Sequence, residues 1–126
     1  HQAKIAGEPS VKIWGTGTPR REFLHVDDLA DACFHLMAQD SPPDWVNIGV
    51  GEDIAIIDLA RLVAEVVGYS GQIETDPSKP DGTPRKLLDV SLLDDLGWKA
   101  RIDLHEGIAA AYQDFLQQSA AGTIRR

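Results

Sequence analysis

One short segment of the chain combines residue types that could bind a nucleotide. The segment WGTGTPRR begins at Trp14 and ends at Arg21, and it joins a tryptophan, a glycine-containing turn and two arginines. An indole ring can stack on a flat base, a guanidinium matches a pair of phosphate oxygens, and glycines allow close approach of the backbone. These residues suit a nucleoside diphosphate. The sequence leaves open an alternative, a surface hairpin with one core tryptophan and two solvated arginines.

A second segment, SKPDGTPRK, offers complementary chemistry between Ser78 and Lys86. Asp81 could accept hydrogen bonds from sugar hydroxyls, and Lys79, Arg85 and Lys86 could offset the charge of a phosphate. The alternative here is a solvated Pro-Asp-Gly turn, which needs no ligand to explain it. The presence of two such loops in one acidic chain makes the ligand-free alternative less favoured for both.

Other patterns that would indicate a cofactor or metal site are incomplete. GTG at residues 15–17 and GVG at residues 49–51 begin like the dinucleotide-binding pattern G-x-G-x-x-G. The third glycine position is Arg20 in the first and Ile54 in the second. The chain contains no P-loop, and its four histidines lack the spacing typical of metal ligands. We therefore expect no metal site and no cofactor-binding loop in this chain.

Composition excludes several classes of function. The 126 residues are enough for one domain with a hydrophobic core, and 43% hydrophobic with 25% charged residues is typical of globular proteins. A net charge of −8 argues against binding to nucleic acid or to a membrane surface, since both require a basic face. The single cysteine, Cys33, excludes an internal disulfide and is predicted to be a small buried side chain. With no signal peptide or membrane span, the predicted location is the cytoplasm.

Hydrophobic periodicity predicts an alternation of strands and helices. The predicted strands cover residues 11–14, 22–26, 45–51, 72–76 and 87–90. The predicted helices cover residues 1–7, 28–38, 56–67 and 92–96, and a last helix begins near residue 104, with residues 119–126 frayed. Asp27 or Asp28 is the predicted cap of the second helix, and Asp103 with Glu106 forms a capping box for the last one.

This alternation predicts a layered α/β domain. The almost wholly apolar segment WVNIGVG, residues 45–51, predicts a strand buried on both faces, as in a parallel sheet covered by helices. The strands are few and short for a sheet that stands alone. The chain also begins with His1 and not with methionine, and we expect it to be a piece of a longer protein.

Four segments together resemble the GDP-L-fucose synthase family, a branch of the extended short-chain dehydrogenase/reductase superfamily. They are WGTGTPRREFLHVDDLADAC, VNIGVGEDIAIIDLARLVAEVVGYSG, SKPDGTPRKLLDVSLLDDLGW and LHEGIAAAYQDFL, and the resemblance covers residues 11–117. REFLHVDDLA with NIGVG is typical of the whole superfamily. WGTGTPRREF together with KPDGTPRKLLD is specific to the fucose synthase branch.

The resemblance implies a fold and a set of contacts. The fold is α/β, the C-terminal part of an extended short-chain dehydrogenase/reductase, with few short strands, packed helices and most of the Rossmann core absent. Trp14, Arg21 and Asp81 match family residues that contact the GDP-sugar, and Lys79 and Arg85 flank them. Residues 1–126 would then be one partial, substrate-binding domain. Within it, residues 27–51 would pack on the missing NADP-binding domain.

The resemblance also implies what this chain lacks. The glycine-rich NADP loop and the Tyr-x-x-x-Lys pair of the family lie in the N-terminal half, and neither Tyr69 nor Tyr112 is followed by lysine at the fourth position. The cysteine and histidine used for epimerisation also lie upstream, and Cys33 and His25 do not match them. We therefore expect no catalytic residue here, and no cofactor on this chain alone, since NADP(H) is bound mainly by the absent half.

The resemblance leaves three hypotheses about function. The first is the substrate-binding part of an NADP(H)-dependent epimerase-reductase that makes GDP-L-fucose. The second is a stand-alone, non-catalytic domain that binds a nucleotide sugar, and the third is half of a related dehydratase or 4-epimerase. The expected partners are a GDP-sugar and the N-terminal Rossmann half, and the resemblance also allows a homo-oligomer.

Overall fold

The computed structural model describes residues 1–123, and within them helices alternate with short strands as the sequence predicts. In chain order the elements are α1 (Gln2–Ala6), β1 (Ser10–Trp14), β2 (Arg20–Arg21), α2 (Val26–Met37), β3 (Ile54–Ala55), α3 (Ile56–Val67), β4 (Gln72–Asp76), β5 (Arg85–Lys86), α4 (Ser91–Asp95) and α5 (Leu104–Ala121). The expected α/β class with few short strands is therefore confirmed.

The strands form two small sheets. β1 and β4 run parallel, with Ser10 opposite Gln72 and Trp14 opposite Asp76. In the second sheet β2 lies in the centre, antiparallel to β3 and parallel to β5. Because β1 continues into β2 and β4 continues into β5, the β1–β2 loop and the β4–β5 loop leave the first sheet at neighbouring positions.

The helix α3 connects the two sheets and follows the sequence prediction closely. It packs against α5 and β4, and its apolar stripe faces them. Gly68 ends the helix with φ of +70°, a conformation that favours glycine because it has no Cβ. The predicted strands at β1 and β4 and the predicted helix α3 are all confirmed.

The buried core is small and lies between α2, α4 and the segment that follows α4. Ala32, Leu93 and Trp98 are almost fully buried. Five partly buried residues pack around them: Leu24, Leu36, Val46, Ile48 and Ala100. The indole nitrogen of Trp98 donates to Asp31 at 2.8 Å, so the one polar atom of this large side chain has a partner.

The N-terminal cap of α2 differs from the prediction. His25 is the N-cap, and its Nδ1 accepts from the backbone nitrogen of Asp27 at 3.2 Å. Asp28 is buried and accepts instead from the backbone nitrogens of Arg101 and Ile102, at 3.1 and 2.9 Å. The prediction of Asp27 or Asp28 as the cap was therefore wrong. These two distant amides need an acceptor when they are buried, and Asp28 supplies it.

The apolar segment at residues 45–51 lies within the described chain and forms no strand, so that prediction was wrong. A strand needs a neighbouring backbone as hydrogen-bond partner. Here a side chain takes that role, because Glu22 Oε1 accepts from the backbone nitrogens of Val50 and Gly51, at 2.5 and 2.6 Å. Trp45, at the start of this segment, is 89% exposed.

Two other predicted strands lie at shifted positions. The extended pieces expected at residues 22–26 and 87–90 are not strands, and pairing occurs just before each of them, in β2 and β5. The pairing of β2 with β5 ends after two residues. Beyond that point Glu22 Oε2 accepts from the backbone nitrogen of Leu88 at 3.0 Å.

The face of α2 that packs into the core is not the one that carries Cys33. Cys33 is exposed, so its predicted burial was wrong. Ala32 and Leu36 face the core, whereas Cys33, Phe34 and Met37 lie on the other side, with Phe34 71% and Met37 79% exposed. The apolar pattern spans more than half of the helix circumference, and it cannot tell which side a partner covers.

The last two helices begin at side-chain acceptors. α4 starts at Ser91, whose backbone nitrogen donates to Asp89 Oδ1 at 3.0 Å, one residue earlier than predicted. α5 has Asp103 as its N-cap and continues to Ala121, so residues 119–121 are helical and not frayed. Residues 124–126 of the predicted frayed tail lie outside the described part. No helix within residues 1–123 has the length and apolarity needed to cross a membrane.

Candidate functional site

The β1–β2 loop is held against the start of α3. Gly15 and Gly17 have φ of +77° and +75°, which lets the chain turn sharply. The carbonyls of Gly17 and Pro19 accept from the backbone nitrogens of Ile57 and Ile56, both at 3.0 Å. The first amides of a helix have no partner within the helix, so this loop serves as the cap of α3.

The β1–β2 loop is also bonded to the β4–β5 loop. The backbone nitrogen of Thr16 donates to Asp81 Oδ1 at 2.8 Å, and the Thr16 hydroxyl donates to Asp81 Oδ2 at 2.7 Å. A Cβ at Gly15 would lie 2.1 Å from Asp81 Oδ1, so only glycine fits there. The two segments singled out in the sequence are therefore in direct contact.

Trp14 lies at the end of β1 beside this contact, and its side chain faces solvent. The residue is 75% exposed, which excludes the alternative of a core tryptophan at this position. Lys79 of the β4–β5 loop places its Nζ 5.7 Å from the centroid of the indole ring, within the range of a cation–π interaction. An exposed indole next to an ammonium group is a suitable surface for a base that carries phosphates.

Arg21 lies against the β4–β5 turn at Gly82. Its Nη1 donates to the carbonyl of Arg20 at 2.6 Å, and a Cβ at Gly82 would be 3.1 Å from its Nη2. Since Gly82 follows Asp81, the guanidinium lies against the same turn that holds Thr16. Arg21 is half-buried, unlike Trp14, Lys79 and Asp81.

Asp53 is an unpredicted residue that pairs with two arginines. Arg20 donates from Nε to Asp53 Oδ1 at 2.6 Å, and Arg85 donates from Nε to Asp53 Oδ2. The side chain of Asp53 is only 3% exposed, whereas those of Arg20 and Arg85 are about half exposed. The hydrogen bonds from Arg85 and then Arg20 hold the pKa of Asp53 below its usual value of 3.8. Arg85, a predicted substrate contact, therefore already bonds a carboxylate.

Sequence reasoning missed Asp53 and Glu22 for the same reason. Each carboxylate joins segments that are far apart in the chain, and the motifs in which they lie do not show which residues they bond. The chain has 20 acidic residues, so the pattern alone does not select a partner for any given arginine. The one available signal is the adjacency of two arginines in an acidic chain, which requires carboxylates nearby.

A cavity of about 600 Å³ opens next to this region. Its lining includes Arg21, Phe23, Gly49, Val50, Glu52, Asp53, Ile54, Asp94, Lys99, Ala100, Arg101, Ile102, Asp103 and Leu104. Lys99 and Arg101 are paired with Asp94 and Asp31, both at 3.2 Å. Of the five predicted site residues, Arg21 alone lines this cavity. Trp14, Lys79, Asp81 and Arg85 lie outside its lining, on the surface formed by the two loops.

The glycine turns of the described chain do not fit the pyrophosphate of a dinucleotide. Such a site needs backbone amides that are open to the phosphates. The Asp81 carboxylate fills the space that a side chain at Gly15 would occupy. The Glu22 carboxylate does the same at Gly49, where a Cβ would lie 2.5 Å from Glu22 Oε1. At these two turns a carboxylate therefore occupies the space through which a dinucleotide pyrophosphate would approach the backbone.

Comparison with known proteins agrees with the resemblance found in the sequence. The NAD dependent epimerase/dehydratase family matches residues 1–49. GDP-L-fucose synthase 1 of Arabidopsis thaliana is 51% identical over 117 residues, which are 93% of this chain and 36% of that protein. GDP-L-fucose synthase of Escherichia coli K12 is 48% identical, again with 93% of this chain covered and 39% of that protein.

A solved structure supports the same relationship. MlghC, a GDP-mannoheptose C4 reductase from Campylobacter jejuni with NADP bound, superposes with a TM-score of 0.75 at 40% identity, over 86% of this chain and 35% of that chain. This chain thus spans little more than a third of the length of the proteins that it matches. Over most of its length it is similar to the C-terminal part of the GDP-L-fucose synthases, and its first 49 residues match the NAD dependent epimerase/dehydratase family.

Proposed function

We propose that the chain is the substrate-binding portion of an enzyme that uses NADPH to epimerise and reduce GDP-4-keto-6-deoxymannose to GDP-L-fucose. The names of its relatives support this activity, since several are GDP-L-fucose synthases. The chain alone is not catalytic in this proposal, because it has no Tyr-x-x-x-Lys pair and its glycine turns face carboxylates. NADP(H) is then bound by a part of the enzyme outside these 126 residues.

The observation that carries the proposal is the contact between the two loops. Lys79 lies over the Trp14 ring, Asp81 bonds Thr16 of the other loop, and Gly82, next to Asp81, lies against Arg21. Guanine stacks on the exposed face of Trp14, and Arg21 contacts the diphosphate. Asp81 accepts from sugar hydroxyls. Arg85, whose Nε is bonded to Asp53, contacts phosphate only through its terminal nitrogens.

Charge supports an anionic ligand at these loops. The chain as a whole carries −8, yet Arg20, Arg21, Lys79, Arg85 and Lys86 lie on these loops or at their ends. Asp53 pairs with two of the arginines, and Asp76 and Asp81 lie on the same loops or at their ends, so these three carboxylates offset three of the five positive charges. A diphosphate is attracted to such a local excess of positive charge, even on an acidic protein.

We also propose that residues 27–51 pack on the NADP-binding domain of the longer enzyme. The face of α2 that carries Phe34 and Met37 is apolar and exposed, and Trp45 is exposed next along the chain. Exposed apolar patches of this kind mark contact surfaces. Almost two-thirds of the length of these relatives lies outside the matched region, and this is enough for a nucleotide-binding domain.

Calorimetric titration of the chain with GDP, UDP and dTDP tests the nucleotide assignment. We expect GDP to bind most tightly, and Arg21→Ala to weaken GDP binding by about 1.5–3 kcal/mol, the loss of a charge-assisted contact. Arg61→Ala is the matched control, because Arg61 lies on α3 and pairs with Asp58.

Three results would count against the proposal. A preference for UDP would favour a related 4-epimerase or dehydratase. Unchanged GDP affinity in Arg21→Ala would remove Arg21 from the site. Oxidation of NADPH in the presence of the keto-sugar by this chain alone would show that catalytic groups are present in it.

A further inference from the structure

Thr16 joins the two loops of the proposed nucleotide site. It donates to both oxygens of the Asp81 carboxylate, once from its backbone nitrogen and once from its hydroxyl. We propose that Thr16 is a positioning residue, which acts through Asp81 to set the separation between the Trp14 ring and the Arg21 guanidinium. This inference rests on the proposed function, because it concerns the binding of the same nucleotide.

The hydrogen-bond directions around Thr16 follow from its single hydroxyl hydrogen. That hydrogen is donated to Asp81 Oδ2 at 2.7 Å, because an ionised carboxylate can only accept. The Thr18 hydroxyl, 2.7 Å away, therefore donates to Thr16 Oγ1. The backbone nitrogen of Thr18 also lies 3.2 Å from this oxygen. Thr16 Oγ1 is thus an acceptor within its own loop and a donor to the neighbouring loop.

Asp81 is close in sequence to residues that contact both Trp14 and Arg21. Two residues before it, Lys79 lies over the Trp14 ring at 5.7 Å. Directly after it, Gly82 lies against the Arg21 guanidinium. A shift of Asp81 away from Thr16 therefore changes the surroundings of both proposed ligand contacts.

The contact is separate from the residues that stabilise the core. Thr16 and Asp81 are both exposed, and the buried cluster lies around Ala32, Leu93 and Trp98. The β1–β2 loop keeps its own attachment to α3 through the carbonyls of Gly17 and Pro19. Loss of the Thr16 hydroxyl should therefore change nucleotide affinity more than thermal stability.

The test compares two substitutions at one position in the chain as it exists. Thr16→Val keeps the shape and the backbone donor but removes the hydroxyl, and Thr16→Ser keeps the hydroxyl. We expect Thr16→Val to weaken GDP binding about three- to tenfold, as for one lost hydrogen bond, and Thr16→Ser to bind within about twofold of the parent chain. Thr123→Val is the control, since it removes a hydroxyl bond at the end of α5.

A second measurement follows Trp14 directly, without ligand. In ¹⁵N-labelled chain, the indole N–H signal of Trp14 should move in Thr16→Val and keep its position in Thr16→Ser. The inference is overturned if Thr16→Val binds GDP as the parent chain does, or if Ser and Val lower the affinity equally. If the parent chain itself binds no GDP, the proposed function fails and this inference with it. Even in that case, the Trp14 indole signal shows separately whether the Thr16 hydroxyl holds the Trp14 ring in position.

Discussion

At the scale of single residues, charge pairing distinguishes two adjacent arginines that the sequence presents as equivalent. Arg20 is bound to Asp53, which also binds Arg85, so these two guanidiniums hold β2 and β5 beside the residue that precedes β3. Arg21 donates instead to the neutral carbonyl of Arg20. Its positive charge is therefore better placed to attract a phosphate than the charge of its neighbour.

Asp53 should make the stability of the chain sensitive to acid. Folding lowers the pKa of Asp53, so the ionised carboxylate stabilises the folded chain. This stabilisation is complete above the ordinary pKa of 3.8, and it is lost as the pH falls from there through the lower, folded-state pKa. Asp53→Asn should therefore unfold at lower urea concentration at neutral pH. The difference from the parent chain should shrink in acid.

Urea unfolding curves recorded from neutral pH to about pH 2.5 check this expectation. Asp44→Asn, a change at an exposed carboxylate, is the control. A difference between Asp53→Asn and the parent chain that stays constant over this range would contradict the assignment.

At the scale of elements, helices of this chain begin in different ways. α3 has Ala55 as its N-cap, which has no side-chain acceptor, and carbonyls of the β1–β2 loop bond its first amides. α5 has Asp103 as its N-cap, and Oδ1 of that residue accepts from the backbone nitrogen of His105 at 2.8 Å. The start of α3 thus depends on the β1–β2 loop, whereas the start of α5 depends on one side chain.

Asp103→Ala should lower the free energy of unfolding by about 1 kcal/mol, the usual cost of a lost N-cap. Differential scanning calorimetry should show a fall in Tm of about 4 °C for a chain of this size. Asp103→Asn should keep most of the stability, because its carbonyl oxygen can still accept. Equal losses in both variants would show that the charge of Asp103 matters more than its hydrogen bond.

The sequence predicted the helices and the five-residue strands, and it missed the two-residue strands. The helix α3 and the strands β1 and β4 have enough residues for hydrophobic periodicity and end at glycine or turn signals. β2 and β5 have two residues each, which is too short for any period. The orientation of α2 was also missed, since Cys33 and Ala32 are adjacent and only packing decides which of them is buried.

The candidate site was predictable in its residue types and not in its connections. Trp14 stood out as a ring that could stack on a base, and Lys79 and Asp81 stood out as polar groups that could contact a phosphate or a sugar. Their segments lie close together in the structure. The bond between Thr16 and Asp81 joins positions 65 residues apart. Contacts of that separation depend on the tertiary fold, and no local rule predicts them.

At the scale of the whole molecule, a patch of apolar side chains lies outside the core. Val26, Leu29, Phe34 and Met37 of α2 are between 42% and 79% exposed, and Trp45 is 89% exposed. Exposed apolar area of this kind favours self-association when no other surface covers it. The patch coincides with the residues proposed to pack on an NADP-binding domain.

Phe34→Glu should reduce the self-association of the chain without lowering its Tm, because the side chain contributes little to the core. Sedimentation velocity over a range of protein concentrations measures this effect. Ile5→Glu is a matched control, since Ile5 on α1 is 74% exposed and Phe34 is 71% exposed. If both changes reduce association equally, then general negative charge and not this patch is responsible.

The close approach of Gly15 and Asp81 links the evolution of two separate motifs. No side chain can be added at position 15 while an aspartate oxygen occupies that space, 2.1 Å from where a Cβ would be. Descendants that lose the glycine must also replace or displace the aspartate, so the two positions should co-vary. Exchanging either loop alone for that of a distant homologue would bring mismatched surfaces together, whereas transplanting both as a pair would preserve their fit.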